Sequence, residues 1–378
     1  MDATWDVERV RAGIRAIAED AEDAFDDGWP VHPFDDDVPS DPLPPRPRSM
    51  YLGGAGVVGA LHDLAGRGLI DRPRDYLPYL DRPFETDLPN WDTHPPSLWV
   101  GETGIRLVRQ RIAPDPDNAG RLAELVAANI QDTHRDLMWG SPGCMLVARE
   151  MYDRTSEERW LELWRQSATW LRGAFERGTG VWMQRLYGRE SRYIGPGHGF
   201  AGCVLALSAE RDSELEAWTT GTVRRYAVEQ DGLANWPPHA EPELRLKPRA
   251  GQPIRTQWCH GAPGMVASLA PMAPGDDEHG RLMTAGGELT WRAGPLAKGA
   301  NLCHGTAGNG YAFLALLRRT GDELWLERAR AFAVHALAQV ERWRSEFGRG
   351  RYSLWTGDPG TAIYLADCLD GDGDLPLP

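Results

Sequence analysis

Two stretches of this chain set a thiol and an imidazole side by side, just ahead of a Gly-x-x-Gly turn. They are Trp258-Cys259-His260-Gly261-Ala262-Pro263-Gly264 and Asn301-Leu302-Cys303-His304-Gly305-Thr306-Ala307-Gly308-Asn309. Two thiolates and one imidazole, Cys259, Cys303 and His304, form a donor set suited to Zn²⁺. Three protein ligands leave a fourth tetrahedral position for water or substrate, which is the arrangement of a catalytic rather than a structural site. The five cysteines are too few and too scattered for a disulfide framework, and their odd number fits reduced thiols. Cys144, Cys203 and Cys368 read as small buried apolar side chains.

The elements that must position these residues announce themselves by repetition. Gly-x-x-Gly followed by an apolar run occurs seven times, at Gly53-Gly56, Gly101-Gly104, Gly140-Gly143, Gly199-Gly202, Gly261-Gly264, Gly305-Gly308 and Gly357-Gly360. The uneven spacing rules out a solenoid of identical units and fits helix pairs with variable loops. Glycine lets a helix start approach a neighbouring helix with no Cβ in the way. Amphipathic spacing predicts further helices at 5–25, 122–130, 160–175, 214–228 and 324–343, while strand-like alternation is scarce. The expected fold is all-α, an α/α toroid of about seven helical hairpins with the glycine turns at one end. In such a ring the equivalent positions of successive hairpins, Cys259 and Cys303 among them, meet at the mouth.

One domain is expected over 1–378, with a Pro- and Asp-rich connection at 27–49 and a flexible tail at 370–378. Two longer polar stretches, 177–197 and 230–257, precede His-Gly-x-x-Gly turns and are candidate loops framing the site. The sixteen tryptophans read as rings filling a wide helical core. A net charge of −14 offers no phosphate-neutralising excess and argues against nucleic-acid binding. The start is acidic where a signal peptide would be basic and then apolar, and no stretch is long and apolar enough to span a bilayer, so a cytoplasmic protein is expected.

The two Cys-His-Gly units resemble the zinc-ligand motifs of the lanthionine synthetase C-like family, the lanthipeptide cyclases and their stand-alone LanC-like relatives. Tyr51-Leu52-Gly53-Gly54-Ala55-Gly56, the turn at Gly199 and Leu354-Trp355-Thr356-Gly357-Asp358-Pro359-Gly360 extend the likeness over nearly the whole chain. The resemblance implies an α/α toroid of seven hairpins and a zinc enzyme of C–S bond formation. Zinc would accept a substrate cysteine as fourth ligand and lower its thiol pKa. The thiolate would add to dehydroalanine or dehydrobutyrine, and protonation of the enolate would leave a thioether, with no redox step.

The resemblance also assigns further residues. His198 matches the family's general acid/base histidine. Asp136, four residues before Gly140, sits where the family has an acid that orients a base or the peptide. Arg255, four before Cys259, would stabilise the enolate. Lys298, five before Cys303, resembles a lysine of the LanC-like branch. His260 and Asn309 are candidates to line the pocket, and His94 has no matched role. No dehydratase is fused here, so a dehydrated peptide or protein substrate would come from a separate enzyme. In the LanC-like branch the attacking thiol can be glutathione, so ring closure and small-thiol addition both stay open. A non-catalytic zinc-containing peptide-binding or regulatory protein is the alternative of a different class. A carbohydrate-active toroid is a third, weakened because only Asp136 offers a carboxylate at a turn.

Overall fold

In the computed structural model, residues 4–35, 43–88, 94–241 and 255–377 are described. The expected connection at 27–49, the framing loop at 230–257 and the tail at 370–378 therefore lie partly outside the described residues. Helix α1 is Val7–Asp23, capped by the Asp6 carboxylate on the Arg9 amide, and it buries Val10, Ile14, Ile17, Ala18 and Ala21. The chain continues through α2 (Gly54–Gly66), the single turn α3 (Leu77–Leu80), α4 (Glu102–Ile112) and α5 (Pro116–Ala128). Then come α6 (Ser141–Thr155) and α7 (Glu158–Gly173), strands β1 (Gln184–Leu186) and β2 (Arg189–Ser191), and α8 (Phe200–Leu207) and α9 (Ser213–Tyr226). Strands β3 (Val228–Gln230) and β4 (Leu233–Asn235) precede α10 (Ala262–Leu269) and α11 (Asp277–Ala293). The last elements are α12 (Thr306–Thr320), α13 (Leu324–Phe347) and α14 (Asp358–Asp370).

Each of the seven Gly-x-x-Gly turns starts a helix, at α2, α4, α6, α8, α10, α12 and α14, directly after its first glycine. The physical reason is steric. A Cβ on the second glycine would land on the carbonyl oxygen six residues earlier: Met50 for Gly56, Leu98 for Gly104, Pro196 for Gly202, Trp258 for Gly264 and Leu354 for Gly360. The chain before each helix thus folds back onto the helix's first turn. That fold-back also satisfies amide donors that a helix start leaves unpaired. Gly54, Glu102, Phe200, Thr306 and Asp358 donate to the carbonyls of Pro47, Pro95, Tyr193, Gly299 and Arg351, each seven residues back, at 2.8–3.0 Å. Gly360→Ala is expected to lower the unfolding free energy by about 2 kcal/mol, read in a denaturant titration, because its Cβ would also push on Leu302.

The chain divides into two compact units. The first comprises 1–125, 295–307 and 330–376; the second comprises 126–294, 308–329 and 377–378. In the first unit α1 packs on α14, α14 on α2, and α2 on α4. Its core joins Ala18 and Ala21 to Trp29, Val57, Val58, Leu61, Tyr76, Tyr79, Ile105 and Val108. In the second unit α6, α8 and α10 lie side by side in chain order, and each packs on the helix that follows it, α7, α9 or α11. These are the helical hairpins expected from the sequence. Trp29, Trp99, Trp160, Trp182, Trp236, Trp258 and Trp355 are fully buried, as core-filling rings should be.

Candidate functional site

The residue two before the first glycine holds the same register in every turn, and Cys259 and Cys303 both occupy it. In the first unit these positions are stitched together by main chain. The Cys303 amide donates to the Trp355 carbonyl at 2.9 Å, Trp355 to Tyr51 at 3.4 Å, and Tyr51 to Trp99 at 2.8 Å. Three of the four side chains in this series, Tyr51, Trp99 and Trp355, pack ring against ring with centroids 4.5–6.1 Å apart. The fourth is the buried thiol of Cys303, 7% exposed. The adjacent His304 is half-buried, and its amide donates to the Asn301 side-chain oxygen at 3.0 Å. Lys298, on the same approach to α12, is exposed.

In the second unit Cys259 sits at the tip of a tight turn that Gln257 and His260 close with reciprocal main-chain bonds of 3.1 Å. The Gln257 amide nitrogen donates to the Cys259 sulfur at 2.8 Å. Gly261 has φ +109°, the left-handed region that favours glycine. The amide of Ala262 departs from the seven-back pattern and donates to the Asn235 side chain at 2.7 Å. Asn309, fully buried, ties the preceding strand by donating to the Thr256 carbonyl at 3.0 Å. Arg255 is exposed, and its carbonyl accepts from Asn235 at 3.5 Å.

The start of α8 lies against this turn. A Cβ at Gly195 would meet the Cys259 carbonyl, and one at Gly197 would lie 3.7 Å from the Cys259 Cβ. Next to Gly197 stands His198, whose Nδ1 is 2.7 Å from a carboxylate oxygen of Asp136. Asp136 is fully buried, and its other oxygen accepts from the amides of Trp139 and Gly140 at 2.7 and 3.0 Å. Those bonds fix the carboxylate, and the carboxylate in turn fixes Nδ1 as the protonated nitrogen. His198 Nε2 then carries the lone pair and lies 3.5 Å from the Tyr187 hydroxyl.

Tyr193 lies among three imidazoles, with ring centroids 4.3 Å from His239, 5.8 Å from His198 and 6.0 Å from His260. Burial pushes the Tyr193 hydroxyl up from its ordinary pKa and pushes His239 down, so both stay neutral near pH 7.

The structure thus brings together Asp136, His198 and the Cys259 turn within the second unit, and places Cys303, His304 and Lys298 in the first. Asn235, Gln257 and Tyr187 are additions that helical periodicity could not have found, and Asn309, a candidate to line the pocket, donates to the Thr256 carbonyl. The chain from 44 to 377 matches the family model described as lanthionine synthetase C-like protein. The chain belongs to the lanthionine synthetase C-like family. This LanC-like chain is 30% identical over 191 residues to "Glutathione S-transferase LANCL1" of Danio rerio, covering 48% of this chain and 44% of that protein. It is 30% identical over 196 residues to "LanC-like protein GCL1" of Arabidopsis thaliana, covering 50% of this chain and 42% of that protein. These matches span less than half the length of either relative. Among solved structures nisin cyclase superposes with a TM-score of 0.59 at 17% identity, covering 96% of this chain and 92% of that one. The fold of this LanC-like protein is accordingly the α/α toroid expected from its seven glycine turns. Among the described residues no helix is long and apolar enough to cross a membrane.

Proposed function

We propose that this LanC-like protein joins a thiol, either a peptide cysteine or glutathione, to a dehydroalanine or dehydrobutyrine residue of a peptide or protein, forming a thioether. The observation that carries this reading is the buried Asp136–His198 pair, one residue from a glycine that abuts the Cys259 turn. An acid/base group belongs beside a thiol site in such a reaction, because the thiol loses a proton and the α-carbon gains one.

The donor set of Cys259, Cys303 and His304 fits zinc. The cysteine positions share one register, both side chains are thiols rather than halves of a disulfide, and Gln257 directs an N–H at the Cys259 sulfur, a partner suited to a thiolate. Zinc bound by these residues would supply acidity to a thiol in the open fourth position. His198 moves the proton, and Asp136 keeps its tautomer and orientation. Arg255, exposed ahead of the Cys259 turn, would face the developing enolate charge, and Lys298 would add positive charge on the other ligand strand.

The chain is read as one LanC-like domain acting in the cytoplasm on a substrate dehydrated by a separate enzyme. The name of the Danio rerio relative supports thiol transfer; its partial coverage leaves the substrate to experiment. The test incubates the metal-analysed protein with a dehydrated cysteine-containing peptide, with and without glutathione. Loss of free thiol at unchanged mass is expected for cyclisation, and a glutathione mass increment for addition. A zinc-loaded protein that yields neither product across a panel of dehydrated peptides would count against the reading.

A further inference from the structure

Two β-hairpins interrupt the second unit, and each turns on two residues. In β3–β4 the turn is Asp231-Gly232, with φ +52° and +76°. In β1–β2 it is Tyr187-Gly188, with φ +55° and +70°. Both central residues of such a turn take the left-handed conformation, which suits Asn, Asp and Gly. Asp231 is an ordinary occupant. Tyr187 is not: a bulky side chain is held in a conformation that disfavours it, and it is 46% exposed, among the most exposed large hydrophobic side chains.

The strained position places the ring over His198. The two rings meet edge to face with centroids 5.9 Å apart at 80°, and the tyrosine oxygen reaches to 3.5 Å from Nε2. Asp136 holds Nδ1 and Tyr187 faces Nε2, so both nitrogens of His198 are engaged. Its side chain is only 17% exposed. The group of this series that a bound peptide reaches first is therefore the phenol.

We infer that Tyr187 is the proton donor to the substrate's α-carbon, so that Asp136, His198 and Tyr187 act as one relay. This rests on the thiol-addition reading above. As the thiolate's electron pair forms the S–Cβ bond, the C=C pair moves to the α-carbon and its carbonyl as an enolate. The Tyr187 O–H bond breaks and its proton forms the Cα–H bond. The phenolate then takes a proton from Nε2 of protonated His198, which had gained it through the same hydroxyl when the phenol passed its proton to Nε2 and took the thiol's. The thiol S–H and the alkene are consumed, the C–S and C–H bonds are formed, and no oxidant or reductant is needed.

The experiment compares full-length wild type with Tyr187→Phe on glutathione and a dehydroalanine peptide. In parallel, acylation of His198 by diethyl pyrocarbonate is mapped by peptide mass. The phenylalanine variant is expected to lose about 30-fold in kcat, with KM within about 2-fold. Its His198 should acylate several-fold faster, because Nε2 is no longer engaged by the hydroxyl. An active wild type with an unchanged kcat in Tyr187→Phe overturns the relay and leaves His198 as the direct donor. If wild type adds no thiol at all, the thiol-addition reading fails by itself, and the acylation rates still decide the contact: an unchanged rate overturns it.

Discussion

Cys303→Ala is expected to reduce zinc from about one ion per chain to under about a tenth, and to abolish thiol addition with it. The loss should be local. The Cys303 amide, not its thiol, holds the strand to Trp355, and that bond survives the substitution. Circular dichroism and the unfolding midpoint of the metal-free variant should match those of metal-free wild type. Metal content by mass spectrometry, alongside these two measurements, separates a catalytic ion from a structural one. A variant that unfolds outright would mean that the metal supports the fold and would favour the non-catalytic alternative.

His198→Ala should have the second largest effect, a fall in the thiol-addition rate of about 10²–10⁴-fold. Zinc content and melting temperature should stay near wild type, because the imidazole is partly exposed and Asp136 keeps its two amide donors without it. Asp136→Ala would be a different experiment. It leaves the amides of Trp139 and Gly140 without their acceptor, so lost activity there would mix folding with chemistry. The informative comparison is therefore the histidine variant, assayed for product and metal in the same preparation. Activity within a few-fold of wild type would remove His198 from the mechanism.

The fold was legible to the extent that it is written in glycine. A glycine whose absent Cβ makes room for a carbonyl six residues back, as at Gly56, Gly104, Gly202, Gly264 and Gly360, cannot be replaced by another residue without moving the backbone, so these helix starts stand out in the sequence. The stripes of α1, α7, α9 and α13 were equally readable from their period, although Val7 of the α1 stripe turned out 42% exposed at the helix end. The hairpins were harder to see. Asp231-Gly232 carried the usual signal within a stretch taken only as loop, whereas Tyr187-Gly188 has a residue that turn chemistry disfavours.

The site divides in the same way. Cys259, Cys303 and His304, the proposed ligands, stand out in the sequence because ligand types recur in register. Asp136 and His198 are 62 residues apart, and no periodicity links them; only the family likeness singled them out. Gln257 and Asn235 act through side-chain bonds to sulfur or main chain, and such bonds leave no pattern in composition or spacing.

The main-chain series from Cys303 through Trp355 and Tyr51 to Trp99 also sets an order on synthesis. Cys303 leaves the ribosome before the carbonyl that anchors it, and Tyr51 must wait for the amide of Trp355, far along the chain. Helix α1 likewise packs on α14, nearly the whole chain away. The first unit therefore closes late, through contacts of large sequence separation, and a nascent chain spends much of its synthesis with this seam open. Until Trp355 emerges, the Cys303 strand lacks the carbonyl that anchors it.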